Sequence, residues 1–181
     1  MKKLETERLI LRKFEIEDAE QAYNNWAGVK KIADMSDFKV HSSVNETREI
    51  IEMGLGDEEE SATWAIELKE THELVGYIRI YEASTINKTC KTNWAIGYKW
   101  LGQGISNEAM KSVIEYLIME KGYNVIVYEY YSNIDSICKP ILEDIGMKRE
   151  AVLKERKINS KTGEKLDKII YSILKEDYIK K

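Results

Sequence analysis

Proline is nearly missing from this sequence: Pro140 is the only one in 181 residues. A chain without proline runs offers no stiff linker, and no low-complexity stretch or internal repeat divides it, so a single domain over residues 1–181 is expected. Cysteine is almost as scarce. Cys90 and Cys138 stand alone, in neither a C-x-x-C nor a zinc-ligand spacing, which excludes a disulfide framework and suits a reducing cytoplasm. The two histidines, His41 and His72, have no clustered cysteine or carboxylate partners, so no metal is expected. No stretch approaches ~20 uninterrupted apolar residues, and the start Met1-Lys2-Lys3-Leu4-Glu5 turns acidic before a leader could form. A soluble, unprocessed cytoplasmic chain without a membrane partner is the expectation. Charge of one sign is also lacking: 28 basic against 32 acidic residues leave a net charge of -4, which argues against nucleic acid as a partner.

What is present is patterned. Residues Arg8 to Phe14 alternate as a strand, and Ile16 to Trp26 set Ala19, Ala22, Tyr23 and Trp26 on one helical face. Ser43-x-x-Glu46 has capping-box spacing and opens a second helix that runs to about Met53. The acidic run Asp57 to Glu60 reads as a solvated loop. Strands are expected over Thr63 to Leu68, Leu74 to Glu82, Thr92 to Trp100 and Asn124 to Tyr131. Gly104 to Lys121 carries Met110, Val113, Ile114, Leu117 and Ile118 at helical spacing and stops at Gly122; Ser136 to Ile145 is a short helix closed by Gly146. Glu150 to Ile158 and Asp167 to Leu174 form a terminal hairpin. The order gives an α/β (α+β) domain with a mixed, largely antiparallel sheet.

The chemistry concentrates in Ile96-Gly97-Tyr98-Lys99-Trp100-Leu101-Gly102-Gln103-Gly104-Ile105-Ser106-Asn107-Glu108-Ala109, which places glycines between a strand and the first turn of a long helix. A helix start exposes unpartnered N–H groups and a partial positive charge, and glycine lets backbone approach a diphosphate. Gly102, Gln103, Gly104, Ile105 and Ser106 are therefore candidate phosphate donors. The segment lacks the Lys-Ser/Thr ending of a nucleotide P-loop and is not a dinucleotide fingerprint.

This segment resembles the acyl-CoA motif Q/R-x-x-G-x-G/A of the GNAT N-acetyltransferases, in the Rim-type form that reads about W-G-x-G-Y-A-T-E-A, with Leu101 in the Gln/Arg place and Ser106 in the last Gly/Ala place. Leu4-Glu5-Thr6-Glu7-Arg8-Leu9-Ile10-Leu11-Arg12 is similar to the T-E-R-L-x-L-R start of that branch, which acetylates ribosomal-protein N-termini. Thr63-Trp64-Ala65-Ile66, Leu74-Val75-Gly76-Tyr77-Ile78, Asn133-Ile134-Asp135-Ser136 and Ile145-Gly146-Met147 follow in family order.

The resemblance implies a twisted sheet with helices on both faces and a splayed central strand pair, acetyl-CoA as cosubstrate, and direct attack on the thioester by a primary amine. The acceptor is a peptide N-terminus or a small-molecule amine. Cofactor contacts fall on Ile96, Gly97, Tyr98, Gly102 to Ser106, Asn133 and Ser136. A main-chain N–H at Gly97 or Tyr98 polarises the carbonyl, and Ser136 serves as the thiolate acid, with Cys138, Tyr128, Tyr130 or Tyr131 as substitutes. Because the spacing from Ser136 to Gly146 is about two residues longer than the family's usual interval, a second register puts Asp135 and Cys138 in the Asn and Ser places. Ser136 also reads as a plain helix N-cap. Glu82 and Glu129 are base candidates, and Glu108 suits the first helical turn without a catalytic duty. Trp64 and Trp94 read as core, Trp26 as packing for the first helix and Trp100 as a neighbour of the loop. The alternative function is an acyl-CoA sensor without turnover; a monomer and a homodimer are equally compatible.

Overall fold

The computed structural model describes residues 1–36, 38–54 and 61–180; the acidic run Asp57 to Glu60 lies outside them. One sheet holds eight strands: β1 (Leu4–Glu5), β2 (Leu9–Lys13), β3 (Ala62–Leu68), β4 (Leu74–Ser84), β5 (Thr89–Ile96), β6 (Val125–Tyr131), β7 (Lys148–Ile158) and β8 (Lys165–Leu174). They lie in the order β1-β2-β3-β4-β5-β6-β8-β7. Every neighbouring pair is antiparallel except β5 and β6.

That parallel pair is also the place where the sheet opens. Its rungs run from Thr89 opposite Val125 to Thr92 opposite Tyr128 and then stop. β5 continues to Ile96 along β4, while β6 continues to Tyr131 along β8. The expected splay is present, bounded on each side by a strand whose outer partner holds it rigid.

Helices cover both faces. On one, α1 (Ala19–Ala22), a π-helical turn (Tyr23–Ala27), α2 (Lys30–Ser36) and α3 (Val44–Gly54) bury Ala19, Ala22, Trp26, Ile32 and Ile51 against Ala65, Leu74 and Ala95. On the other, α4 (Ile105–Glu115) and α5 (Asp135–Ile145) pack on Ile78, Trp94, Ile96, Ile126 and Tyr128. The α4 stripe of Ile105, Ala109, Met110, Val113 and Ile114 is fully sequestered. Each large aliphatic side chain so buried contributes about 1.5–3 kcal/mol, which anchors this helix whatever its terminus does.

The differences from expectation are local. The strand expected over Thr92 to Trp100 starts earlier and ends at Ile96, because a 3-10 turn (Tyr98–Trp100) bends the chain away before the glycines. The helix expected to Lys121 gives way at Tyr116–Glu120 to a π turn. Residues Ile16 to Trp26 are a 3-10 turn, a short α segment and a π turn in place of one regular helix. β1, α2 and the last helix, α6 (Lys175–Ile179), carry too little periodicity to have been read. Ser43 Oγ does accept from Glu46 N–H at 3.2 Å, but Glu46 reaches back one residue further than a capping box requires, to the N–H of Ser42 at 2.5 Å.

Candidate active site

The loop after β5 is shaped by two left-handed residues. Gly102 and Gly104 both lie at φ +75°, a conformation that costs an L-residue with a Cβ about 1–2 kcal/mol. Gly104 is the N-cap of α4, and no side chain caps that end. The first-turn N–H groups of Ile105, Ser106 and Asn107 have no intrahelical acceptor, so the helix presents donors and its positive end to the space beside the loop.

An N-terminal clasp holds this loop in place. Glu108, in the first turn of α4, accepts from Thr6 Oγ1 at 2.5 Å, from the Arg8 N–H at 2.9 Å and from Arg8 Nε at 2.6 Å. Arg8 Nη1 also donates to the Gln103 carbonyl at 3.0 Å, while Gln103 Nε2 donates to the Lys99 carbonyl at 2.9 Å. Burial alone would raise the Glu108 carboxyl; the bonds from Thr6 and Arg8 outweigh it and lower it below the ordinary range. Arg8 thus neutralises the Glu108 carboxylate, which would otherwise oppose an anion at the helix start. The clasp joins Thr6 and Arg8 to a glutamate about 100 residues away in the chain.

The strand edge beside the loop is fixed in phase. The Gly97 N–H donates to the Val75 carbonyl at 2.8 Å, which turns it towards β4. Main-chain groups alternate along a strand, so the N–H and C=O groups of Trp94 and Ile96 point the other way, into the splay, beyond the last rung with β6. This corrects one expectation: the Gly97 N–H is spent within the sheet and is not open to a ligand. Glycine is required there for packing, since a Cβ would stand 2.7 Å from the Asn25 carbonyl oxygen and 2.8 Å from the Trp100 ring. Tyr98 begins the following turn with its ring exposed beneath Lys31 Nζ, 4.1 Å from the ring centre.

Across the splay, the expected residues separate into two groups. Ser136 is exposed on the first turn of α5, and the N-cap of that helix is Ile134, so Ser136 does not cap it. Asn133 sits exposed in the 3-10 turn (Ser132–Ile134) at the rim. The second register is the one whose side chains reach β6. Tyr130 Oη donates to Asp135 Oδ1 at 2.7 Å, and Cys138 Sγ lies 4.0 Å from Tyr128 Oη. Tyr128, at the rung where the strands part, stacks on Trp94 at 4.3 Å between ring centres. Burial pushes the Cys138 thiol up to about 12 and holds the Tyr128 and Tyr130 hydroxyls above the ordinary phenol value.

The base candidates are already engaged. Glu129 holds Lys168 Nζ at 2.9 Å and Lys91 Nζ at 3.2 Å; burial opposes its ionisation, but the two ammonium groups prevail and lower its pKa. Glu82 pairs with Lys91 at 2.8 Å on a β4 bulge and is mostly exposed. His72 bonds Glu67 at 2.7 Å, and burial lowers the His41 pKa beside Thr47. Among the described residues there is no group of three or more His, Cys, Asp or Glu side chains that could hold a metal ion.

On the face carrying α1 to α3 the splay opens into two adjoining cavities of about 540 and 440 Å³. Ser36, Phe38 and Asn93 line both. Asn93 Oδ1 is, among the described residues, the buried side-chain oxygen or nitrogen without a hydrogen-bond partner. Such an atom costs about 1–3 kcal/mol, and sequence pattern gave no sign of it, because an asparagine in a strand looks merely out of place.

Comparison with known proteins agrees with this geometry. Residues 8–148 match the Acetyltransferase (GNAT) domain. The uncharacterized N-acetyltransferase p20 of Bacillus licheniformis is 28% identical over 183 residues, covering 98% of this chain and 99% of that protein. The GNAT-family acetyltransferase structure from Bacillus anthracis superposes with a TM-score of 0.83 at 23% identity, over 97% of this chain and 99% of that one. Spermidine N-acetyltransferase from Vibrio cholerae, solved with CoA and spermine, superposes at 0.82 with 19% identity, over 96% and 99%. With its sheet opening at β5 and β6, its glycine-entered α4 and a domain match across most of its length, this chain belongs to the GNAT family of N-acetyltransferases.

Proposed function

We propose that this N-acetyltransferase uses acetyl-CoA and transfers the acetyl group to a primary amine by direct attack in the cytoplasm. The observation that carries the reading is the meeting of two open donor sets at the end of β5: the strand edge at Trp94 and Ile96, and the uncapped start of α4. Acetyl-CoA would supply the acetyl group as a thioester. Its pyrophosphate suits the N–H groups from Gln103 to Ser106, and its amide-bearing arm suits the exposed edge of β5.

The chain's own groups then divide the work. Polarisation of the carbonyl falls to the main-chain N–H groups at Ile96 and Tyr98, with Gly97 withdrawn from that role; preorganised donors of this kind need no rearrangement as charge develops. Protonation of the departing sulfur falls to Tyr128, with Cys138 beside it, in preference to Ser136. Asn133 borders the opening of the second cavity, where it can contact the bound cosubstrate. Glu129 is not offered as base, since it holds two ammonium groups already.

Calorimetric titration with acetyl-CoA, followed by acceptor-dependent thiol release, tests the reading. Saturable binding with release over an amine panel is expected. Binding without release from any amine would favour an acyl-CoA sensor, and no binding would end both.

A further inference from the structure

The acceptor side of the cleft has a chemical character of its own. Phe14, Trp26, Phe38 and Tyr77 line the larger cavity, which gives it aromatic walls. Trp26 lies 6.4 Å from both Phe14 and Tyr77, ring centre to ring centre, so these walls are one packed set. The charged side chains among its described lining residues are Lys13 and Arg79, with no carboxylate.

The smaller cavity does contain carboxylates, Asp34 and Glu129, but neither is available. Asp34 is bound by Lys161, and Glu129 by Lys91 and Lys168. Lys157, Lys161 and Lys168 line the same space. The described part of the cleft thus sets Lys13 and Arg79 beside the larger cavity and Lys157, Lys161 and Lys168 beside the smaller one.

Two polar residues that line the larger cavity, half-buried Asn93 and exposed Arg79, sit side by side on neighbouring strands. Asn93 on β5 is paired directly with Arg79 on β4. Asn93 Oδ1 is the buried acceptor without a donor, one residue past the last β5–β6 rung. Arg79 reaches Ser61 Oγ at 3.3 Å and has no carboxylate partner among the described residues.

We infer that the acceptor is an α-amine on a large apolar body, with its nitrogen held by Asn93 Oδ1, its carboxylate or carbonyl oxygen by Arg79, and its side chain between Phe14, Trp26 and Phe38. This rests on the acetyltransferase reading. The amide oxygen of Asn93 accepts one N–H of the neutral amine and leaves the nitrogen lone pair directed at the thioester in the splay. The amine then forms the N–C bond as the C–S bond breaks; Tyr128 gives its proton to the departing thiolate, and the proton shed by the newly bonded nitrogen restores the Tyr128 hydroxyl, leaving amide and free thiol. Asn93 is a positioning and specificity group in this scheme, and the pocket volume of about 540 Å³ accommodates an aromatic amino acid.

The test uses the full chain with acetyl-CoA and a panel of free phenylalanine, tryptophan and leucine, their amides, short peptides beginning with the same residues, and spermidine and putrescine. Aromatic α-amines should show kcat/KM at least about tenfold above the polyamines. Free acids exceeding amides and peptides would identify the amino acid itself as the source; the reverse would identify a chain terminus, and either supports the inference. Asn93→Leu should lower kcat/KM for the acceptor by roughly ten- to a hundredfold with the calorimetric Kd for acetyl-CoA unchanged, which also reports that the variant is folded. Arg79→Gln should erase the discrimination between acid and amide. Preference for polyamines, no turnover of aromatic α-amines, or an Asn93→Leu variant with wild-type acceptor kinetics would overturn the inference. Failure of the unmodified protein to bind acetyl-CoA would instead overturn the acetyltransferase reading beneath it.

Discussion

Gly104 bears on function through a single torsion. Its φ of +75° lets the chain enter α4 with N–H groups directed outward. Gly104→Ala would either strain this cap by about 1–2 kcal/mol or rotate it, and the expected result is roughly tenfold weaker acetyl-CoA binding by calorimetry, with the buried α4 stripe keeping the fold intact. A second comparison separates the thiolate-acid candidates. Tyr128→Phe is expected to lower kcat by about ten- to a hundredfold with little change in acetyl-CoA affinity, whereas Ser136→Ala should stay within about twofold in both, because its hydroxyl lies on the outer surface of α5. A large kcat loss in Ser136→Ala would restore the original assignment.

At the scale of elements, α5 carries the sequence's only proline. Pro140 sits inside Asp135–Ile145, past the first turn, where it can donate no hydrogen bond to the Ser136 carbonyl four residues back. Pro140→Ala is expected to add about 1 kcal/mol, a rise of roughly 2–4 °C in Tm for a chain of this size, measured by thermal unfolding. A lower Tm would mean that proline's restriction of the unfolded chain outweighs the missing bond.

Elements of this kind also mark the limit of what the sequence discloses. α4 could be read because Met110, Val113, Ile114, Leu117 and Ile118 recur at helical spacing, and the terminal hairpin because polar residues interrupt two alternating runs. α2, with only Ile32 and Ala33 buried, has no comparable stripe. While the reading of the loop glycines before α4 as an anion site leans on the resemblance to the acyl-CoA motif, their positions were legible in the sequence. The orientation of the Gly97 N–H was not, since it depends on pairing with Val75 in another strand, and Asp135 and Cys138 could be favoured over Ser136 only once α5 had a direction.

For the molecule as a whole, several ion pairs join segments distant in sequence, which gives stability a defined pH response. Glu67, Glu108 and Glu129 all have folded pKa values below the ordinary 4.5. In each, burial opposes the charge, and bonds to His72 and Arg12, to Thr6 and Arg8, and to Lys168 and Lys91 prevail. A depressed carboxylate contributes stability above its unfolded pKa and loses it as pH falls through the folded value. Burial of His41, which lowers its pKa, adds a smaller loss that begins as pH falls below 6.5, so Tm should dip modestly towards pH 5 and decline more steeply below 4.5. Glu108→Gln should lower Tm at pH 7 and reduce that decline; an unchanged acid slope would mean that the N-terminal clasp contributes nothing to it.

The opening between β5 and β6 also makes the sheet mechanically uneven. β1 lies at one edge of the strand order, and the chain finishes just after β8, near the other edge. A force applied between the termini therefore crosses the ladders in series. The β5–β6 ladder has only the rungs from Thr89 to Thr92, whereas the antiparallel ladders on either side of it run the length of their strands. Under tension the edge strand β1, held to β2 by the two rungs at Leu4 and Glu5, should peel first, and the body of the sheet should then part at this seam, into an amino-terminal half ending in β5 and a carboxy-terminal half beginning with β6. A ligand lying across the gap would act as a rivet, so rupture force in single-molecule stretching would report occupancy.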